Sequence, residues 1–458
     1  MVAFPSGVRR ISIFGLGYVG LVTAACFAKR GHRVIGIDTD GEKVETVRNA
    51  KPPIFEPNLA TLLKETVSNG NLQATQDPSA NSESELAYLT VGTPTDQDGN
   101  ADLGQVRSAA SMIAQSLAHV DRDQLVVIKS TVPPGTARNI VKPILERGSR
   151  KIVGKQIGLC SNPEFLREGK AIHDAEFPDR IIVGSDDTDA IKRLEDFYRE
   201  FHGEHMPPVI RTTYENAELI KYANNAFLAT KVSLINHIAN LAEKVPHADI
   251  SVVAAGIGLD ERISPHFLRA GLGWGGSCLP KDMKALAAIS RALIHEPGLV
   301  EAVTQVNQRQ WWKAIELAKR ALGSLHGRRI AVLGLAFKPD TDDMREAVSI
   351  PIVKSLLAEG AAVVVYDPAA MQRARAIFPN LVNYARNPIE CIEGADCCII
   401  VTEWDEFRKI PPRMFIEHMR RPTVIDGRRI YDPKTLSQAG IQFLAIGLGP
   451  TDKQLDLS

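Results

Sequence analysis

The stretch GGSCLPKD, Gly275 to Asp282, sets one cysteine in a glycine-rich loop and follows it with proline, lysine and aspartate. Gly273, Gly275 and Gly276 would let the backbone approach a ligand, and Pro280 suits the first turn of a helix through KDMKALAAI. A thiol at a helix N-terminus beside Lys281 ionises more easily than an ordinary cysteine, which makes Cys278 a candidate nucleophile. The other cysteines, Cys26, Cys160, Cys391, Cys397 and Cys398, lie in apolar or strand-like runs, where a small buried hydrophobe is the expected role. Their spacing suits neither zinc nor a disulfide scaffold.

Two further clusters carry groups able to move protons. Lys221 and Asn225 in AELIKYANN fall four apart on a helical stretch, so an ammonium and an amide share one face. Glu164 and Glu168 in NPEFLREG follow an apolar strand, near where open α/β sheets hold ligands. Taken alone, each cluster is better explained as a surface lysine or a solvated acidic turn.

The turn GLGYVG places Gly15, Gly17 and Gly20 between an apolar strand and a helix. The first glycine serves the tight turn, the second the approach of a pyrophosphate and the third helix packing. Asp38 ends the next strand, about twenty residues on, where an acid binds ribose hydroxyls. A carboxylate there repels a ribose phosphate, so NAD is expected over NADP. A similar turn, GLAFKPDTDD, keeps Gly334 but carries Ala336 and Phe337 in place of further glycines, a poor pyrophosphate cradle. Near it, Lys338, Arg345 and Arg428 read equally as solvated charges or as holders of a different phosphate ligand.

These residues need elements to carry them. Strand-like runs alternate with helical stretches as far as about residue 211, which implies a mostly parallel sheet. From Thr212 the pattern turns to long helices, and after SLHGRR the strand pattern returns. The expected fold is α/β: two Rossmann-like doubly wound domains, residues 1–211 and 326–458, joined by a long-helix region over 212–325. With 458 residues, two or three well-cored domains are expected. Lysine plus arginine and aspartate plus glutamate both number 54, which argues against a nucleic-acid binder and for small-molecule partners. No apolar run reaches membrane length and no signal peptide is apparent, so a cytoplasmic protein with no membrane partner is expected.

FGLGYVG, VGTPTDQDGNADL, KSTVPPGT, NPEFLREG, PDRIIVG, ELIKYANNAFLATK, GGSCLPKD, GLAFKPDTDDMRE and VIDGRR stand in this order along the chain. Together they resemble the UDP-glucose/GDP-mannose dehydrogenase family over nearly the full length. That family oxidises a sugar nucleotide's primary alcohol to a carboxylate with two NAD and one water. The resemblance implies Cys278 as nucleophile, with Asp282, Lys221 and Asn225 managing protons and the oxyanion. It also implies that Thr131 and Glu164 position water and substrate. On the cofactor side it implies Gly15, Gly17, Gly20, Asp38, Lys43, Thr93, Thr131, Glu168, Lys281 and Arg345. For the sugar nucleotide it implies Glu164, Phe165, Leu166, Lys221, Asn225, Gly275, Phe337, Lys338 and Arg428, with Arg262 reaching across a dimer interface; the long helix is expected to form the spine of a homodimer or higher homo-oligomer. UDP-glucose ranks first as substrate and GDP-mannose second, because Leu279 is also seen in the second branch. Two rival classes remain: a two-electron hydroxyacid dehydrogenase, which needs no Cys278, and a non-catalytic NAD-binding regulator, which needs neither Lys221 nor Asp282.

Overall fold

The computed structural model describes residues 7–118 and 120–451, and the chain divides after Asn224 into two compact units. In the first unit the strands are β1 (Arg10–Phe14), β2 (Arg33–Ile37), β3 (Leu72–Thr75), β4 (Leu86–Leu89), β5 (Gln124–Ile128), β6 (Ile157–Ser161), β7 (Ile181–Gly184) and β8 (Val209–Thr212). They form one sheet in the order β3-β2-β1-β4-β5-β6-β7-β8, parallel except where β7 meets β6. The run QLVVI of β5 is buried at every position, as a strand covered on both faces requires. Successive residues of β1 alternate between two cores. Ile11 and Ile13 pack with the helix Tyr18–Lys29, and Phe14 packs with the helix Gly104–Leu117. The strand order reverses between β1 and β4, which leaves a crevice beyond their C-terminal ends.

The helix Tyr214–Ala242 is 29 residues long, about 43 Å at 1.5 Å per residue, and ends ahead of Pro246. In the second unit the helices Leu279–Ala292, Gly298–Gln310 and Trp312–Leu322 precede a second sheet. Its strands are β9 (Arg329–Leu333), β10 (Ala362–Tyr366), β11 (Asn383–Tyr384), β12 (Cys397–Ile400), β13 (Thr423–Asp426) and β14 (Gln442–Ala445). They run parallel in the order β11-β10-β9-β12-β13-β14, the same winding as the first six strands of the chain. Both expected doubly wound sheets are present. Among the described residues no helix is long and apolar enough to cross a membrane.

Candidate active site

In the first unit the turn after β1 is shaped for a dinucleotide. Gly15 has φ +98°, and a Cβ at Gly20 would collide with the Gly15 carbonyl, so both positions exclude a side chain. Gly17 is the N-cap of the helix Tyr18–Lys29 without a side-chain cap, and a Cβ there would meet nothing within 4 Å. The helix N-terminus is thus open to a phosphate. Asp38 accepts from the Leu16 N–H at 2.7 Å and holds the Lys43 ammonium at 3.0 Å. Beside it lies a cavity of about 370 Å³, lined by Gly15, Gly17, Asp38, Lys43 and Thr90, with Gln76, Gln105 and Met112 completing it. Those last three carry no recognisable nucleotide-binding signal in the sequence. The donor set fits the adenosine half of NAD. Asp38→Ala is expected to raise the KM for NAD about tenfold and narrow the preference over NADP, because it also releases Lys43 to meet a phosphate. Parallel titrations of the two cofactors check this, and an unchanged ratio would count against it.

Lys221, on the helix Tyr214–Ala242, pairs with Glu164 at 3.0 Å, and both side chains are more than nine-tenths buried. The Phe165 ring lies between two cations, with Lys221 Nζ 5.3 Å and the Arg180 guanidinium 3.9 Å from its centroid. Glu164 also accepts from the Leu166 N–H, so the acid folds the FLREG loop about itself. Thr93 donates its hydroxyl to the Thr131 carbonyl at 2.8 Å, bringing these two residues together. Next to buried Glu168, the Gly169 N–H donates to Tyr18 Oη and to Glu56, and Glu56 also accepts from the Ala171 N–H at 2.8 Å. Glu56 ties the cofactor helix to this loop. Sequence reasoning missed it, since an acid in the stretch PPIFEPN reads as a solvated loop residue.

In the second unit Cys278 is exposed and is the N-cap of the helix Leu279–Ala292, with Pro280 in the first turn. Asp282 is buried one turn below and donates its backbone N–H to the Cys278 carbonyl at 2.9 Å. Its carboxylate accepts from Asn225 Nδ2 at 2.6 Å and from Lys281 Nζ at 2.7 Å. The ammonium of Lys281, which the sequence places beside the thiol, is therefore engaged with Asp282. The other five cysteines are buried, and burial pushes the thiols of Cys26, Cys160 and Cys391 up to about 12.

The glycines of this loop also serve close packing within the protein. A Cβ at Gly273 would collide with Asn307, at Gly275 with the Glu346 carbonyl, and at Gly276 with the Phe337 ring. On the side where a Cβ would stand, the backbone at all three glycines is approached by protein. The loop is clamped further by the Asn236 side chain on the Gly271 N–H and by Gln310 on the Gly271 carbonyl, both at 2.8 Å. Arg428 adds a bond from Nη1 to the Gly273 carbonyl at 3.0 Å, while Nε donates to the Val401 carbonyl. Its Nη2 is buried and has no hydrogen-bond partner among the described residues, so one donor of this guanidinium is left for a ligand. Lys338 is half-buried beside Phe337. Arg345 is exposed, with its guanidinium on Asp343 and its carbonyl on the Gly276 N–H. Arg262 is exposed and paired with Asp260.

The turn after β9 repeats the first to a point. Gly334 has φ +100°, and Asp367 accepts from the Leu335 N–H at 2.7 Å as Asp38 does from Leu16. Asp367 also accepts from Ala336 N–H and from Trp404 Nε1, and it is buried. A ribose would find that carboxylate already satisfied. The first turn is built for a dinucleotide and the second is not.

Family models covering three regions match in chain order. Residues 9–202 match the NAD binding domain of the UDP-glucose/GDP-mannose dehydrogenase family, 215–309 its central domain and 331–433 its UDP binding domain. The chain is 43% identical over 421 residues to UDP-glucose 6-dehydrogenase AglM of Haloferax volcanii, covering 92% of this chain and 96% of the relative. It is 41% identical over 442 residues to UDP-glucose 6-dehydrogenase TuaD of Bacillus subtilis, covering 96% and 93%. A solved UDP-glucose dehydrogenase from Pyrobaculum islandicum superposes with a TM-score of 0.88 at 37% identity, over 97% of this chain and 100% of that one. With a dinucleotide turn in one unit and an exposed cysteine over a buried aspartate in the other, the chain belongs to the UDP-glucose/GDP-mannose dehydrogenase family.

Proposed function

We propose that the enzyme oxidises UDP-glucose to UDP-glucuronate, taking four electrons in two steps and consuming one water. The observation that carries this reading is Cys278, exposed at a helix N-terminus with Asp282 buried beneath it. Alcohol to acid requires two hydride losses, so the aldehyde has to be retained between them. NAD, held by Gly15, Gly17, Gly20 and Asp38, supplies the hydride acceptor at each oxidation. In the first step the C6 hydroxyl gives its proton to the Asp282 network as hydride leaves carbon. The Cys278 thiolate then bonds to the aldehyde carbon, and loss of a second hydride from that alkoxide leaves a thioester. Water placed by Thr131 and Glu164 adds to the acyl carbon, the C–S bond breaks, and the thiolate departs with the electron pair. Lys221 and Asn225 donate to the oxyanion each time it forms.

Arg428 Nη2 and Lys338 supply donors for the sugar nucleotide's phosphates. UDP-glucose is preferred to GDP-mannose because the curated relatives named above act, by name, on UDP-glucose. The six thiols, with no disulfide among the described residues, suit the cytoplasm. The test is NADH formed per sugar nucleotide: two for UDP-glucose, with slower turnover of GDP-mannose. One NADH per sugar would indicate a two-electron dehydrogenase, and none a regulator.

The enzyme also works as a homodimer in this reading. Phe227, Leu234 and Leu241 stand seven apart on the long helix and are 67%, 56% and 61% exposed, an apolar stripe that a second copy would cover. Sedimentation at micromolar concentration should give twice the chain mass, and Leu234→Glu should shift it toward monomer. A fully active monomeric wild type would overturn this.

A further inference from the structure

The helix residue one turn before Lys221 is Glu218, buried and turned onto the segment STVPPGT that carries Thr131. Its carboxylate accepts from the Gly135 N–H at 2.6 Å and from the Ala137 N–H at 2.8 Å. The segment needs such an anchor. Pro133 and Pro134 have no N–H, and the loop's own turn runs from the Thr136 N–H and hydroxyl to the Pro133 carbonyl, so the Gly135 and Ala137 N–H groups are held from outside it. Upstream, the Thr93 hydroxyl holds the Thr131 carbonyl and Ser130 Oγ donates to the Val91 carbonyl at 2.7 Å. Thr131 is thus fixed from one side by these hydroxyls and from the other by Glu218. Along the same helix, Lys221 grips Glu164, so adjacent turns hold the two loops to which the reaction assigns water.

Burial pushes the Glu218 carboxyl up to about 7, against the pull of the Ala137, Gly135 and Thr136 backbone N–H groups. We propose that Glu218 is a positioning residue for the hydrolytic step: its carboxylate fixes the 130–137 loop, and with it the Thr131 side chain that orients the attacking water. This rests on the thioester reading above.

Glu218→Gln keeps the shape, but its amide oxygen accepts one of the two N–H groups while its NH2 meets the other. Expected is a fall of about tenfold in kcat with kcat/KM for UDP-glucose and for NAD within about twofold of wild type, because the slowed step follows acylation and lowers KM with kcat. If hydrolysis is the slowed step, mixing enzyme with both substrates gives a burst of two NADH per active site before the slow phase. Quenched protein then carries the acyl group on Cys278 by mass spectrometry. Glu218→Asp retains the charge with a shorter reach and should show a smaller burst; it is the variant to read if the glutamine form does not fold. Wild-type kcat in the folded variants overturns the inference, as does lost activity without burst or adduct, since a merely structural role would give that. A wild-type enzyme that produces no NADH from UDP-glucose overturns the underlying reading as well. Two NADH per sugar in wild type beside an unaffected Glu218→Gln overturns the inference alone.

Discussion

Cys278→Ala should stop formation of the acid, with a loss in kcat of at least about 10⁴, because no sulfur is left to hold the aldehyde for its second oxidation. The fold should survive. Cys278 is exposed and makes no side-chain cap bond, and its Sγ contacts the neighbouring Ser277 Oγ at 3.6 Å, so a stability change within about 0.5 kcal/mol is expected. The first hydride transfer does not touch sulfur, so NADH-dependent reduction of added aldehyde should persist. Cys278→Ser keeps the shape with a poorer nucleophile and a poorer leaving group, and an ester adduct could then outlast the assay. NADH counted per UDP-glucose consumed, together with intact mass after quenching, reads both outcomes. An alanine variant still producing two NADH per sugar would require another mechanism.

Lys221→Ala should damage both chemistry and fold, and the two effects can be separated. The pair with Glu164 is 3.0 Å long, with side chains 5% and 7% exposed, so truncation strands a carboxylate out of water. Removing one partner of such a pair costs about 3–5 kcal/mol. Losing the ammonium to which the proposed mechanism gives the oxyanion should lower kcat about 10³-fold, comparable to removing an oxyanion donor. Adding Glu164→Gln to Lys221→Ala removes the stranded charge, so the double variant should recover stability in a denaturant titration but not turnover. If Lys221→Ala is as stable as wild type, the pair is not the buried contact described. If the double variant recovers kcat, Lys221 serves only to neutralise Glu164.

The inner strands are legible as apolar runs, whereas β3, β8, β11 and β14, the four edges of the two sheets, are shorter or more polar in sequence. The reason is burial. An edge strand has one neighbour and stays partly wet, so its sequence need not be apolar; VIRT of β8 has no fully buried residue, and β11 is a pair of residues. At the site, GLGYVG and Asp38 could be read because their spacing is local. The packing of the glycines around Cys278 is not legible in the sequence, because Asn307, Phe337 and Glu346 approach them from far along the chain. Glu56 and Glu218 were invisible for a related reason. An acid beside apolar residues looks like a solvated one until the N–H groups that it binds are located.

The distribution of thiols sets how the enzyme meets electrophiles. At pH 7 a thiol with a pKa near 12 is about one part in 10⁵ thiolate, and Cys26, Cys160 and Cys391 are also shut away from solvent. Alkylating agents and peroxide therefore encounter a single reactive position out of six, the same one to which the proposed mechanism assigns the acyl group. Limiting iodoacetamide would count active sites, each equivalent consumed silencing one chain, and bound sugar nucleotide would shield the enzyme from inactivation.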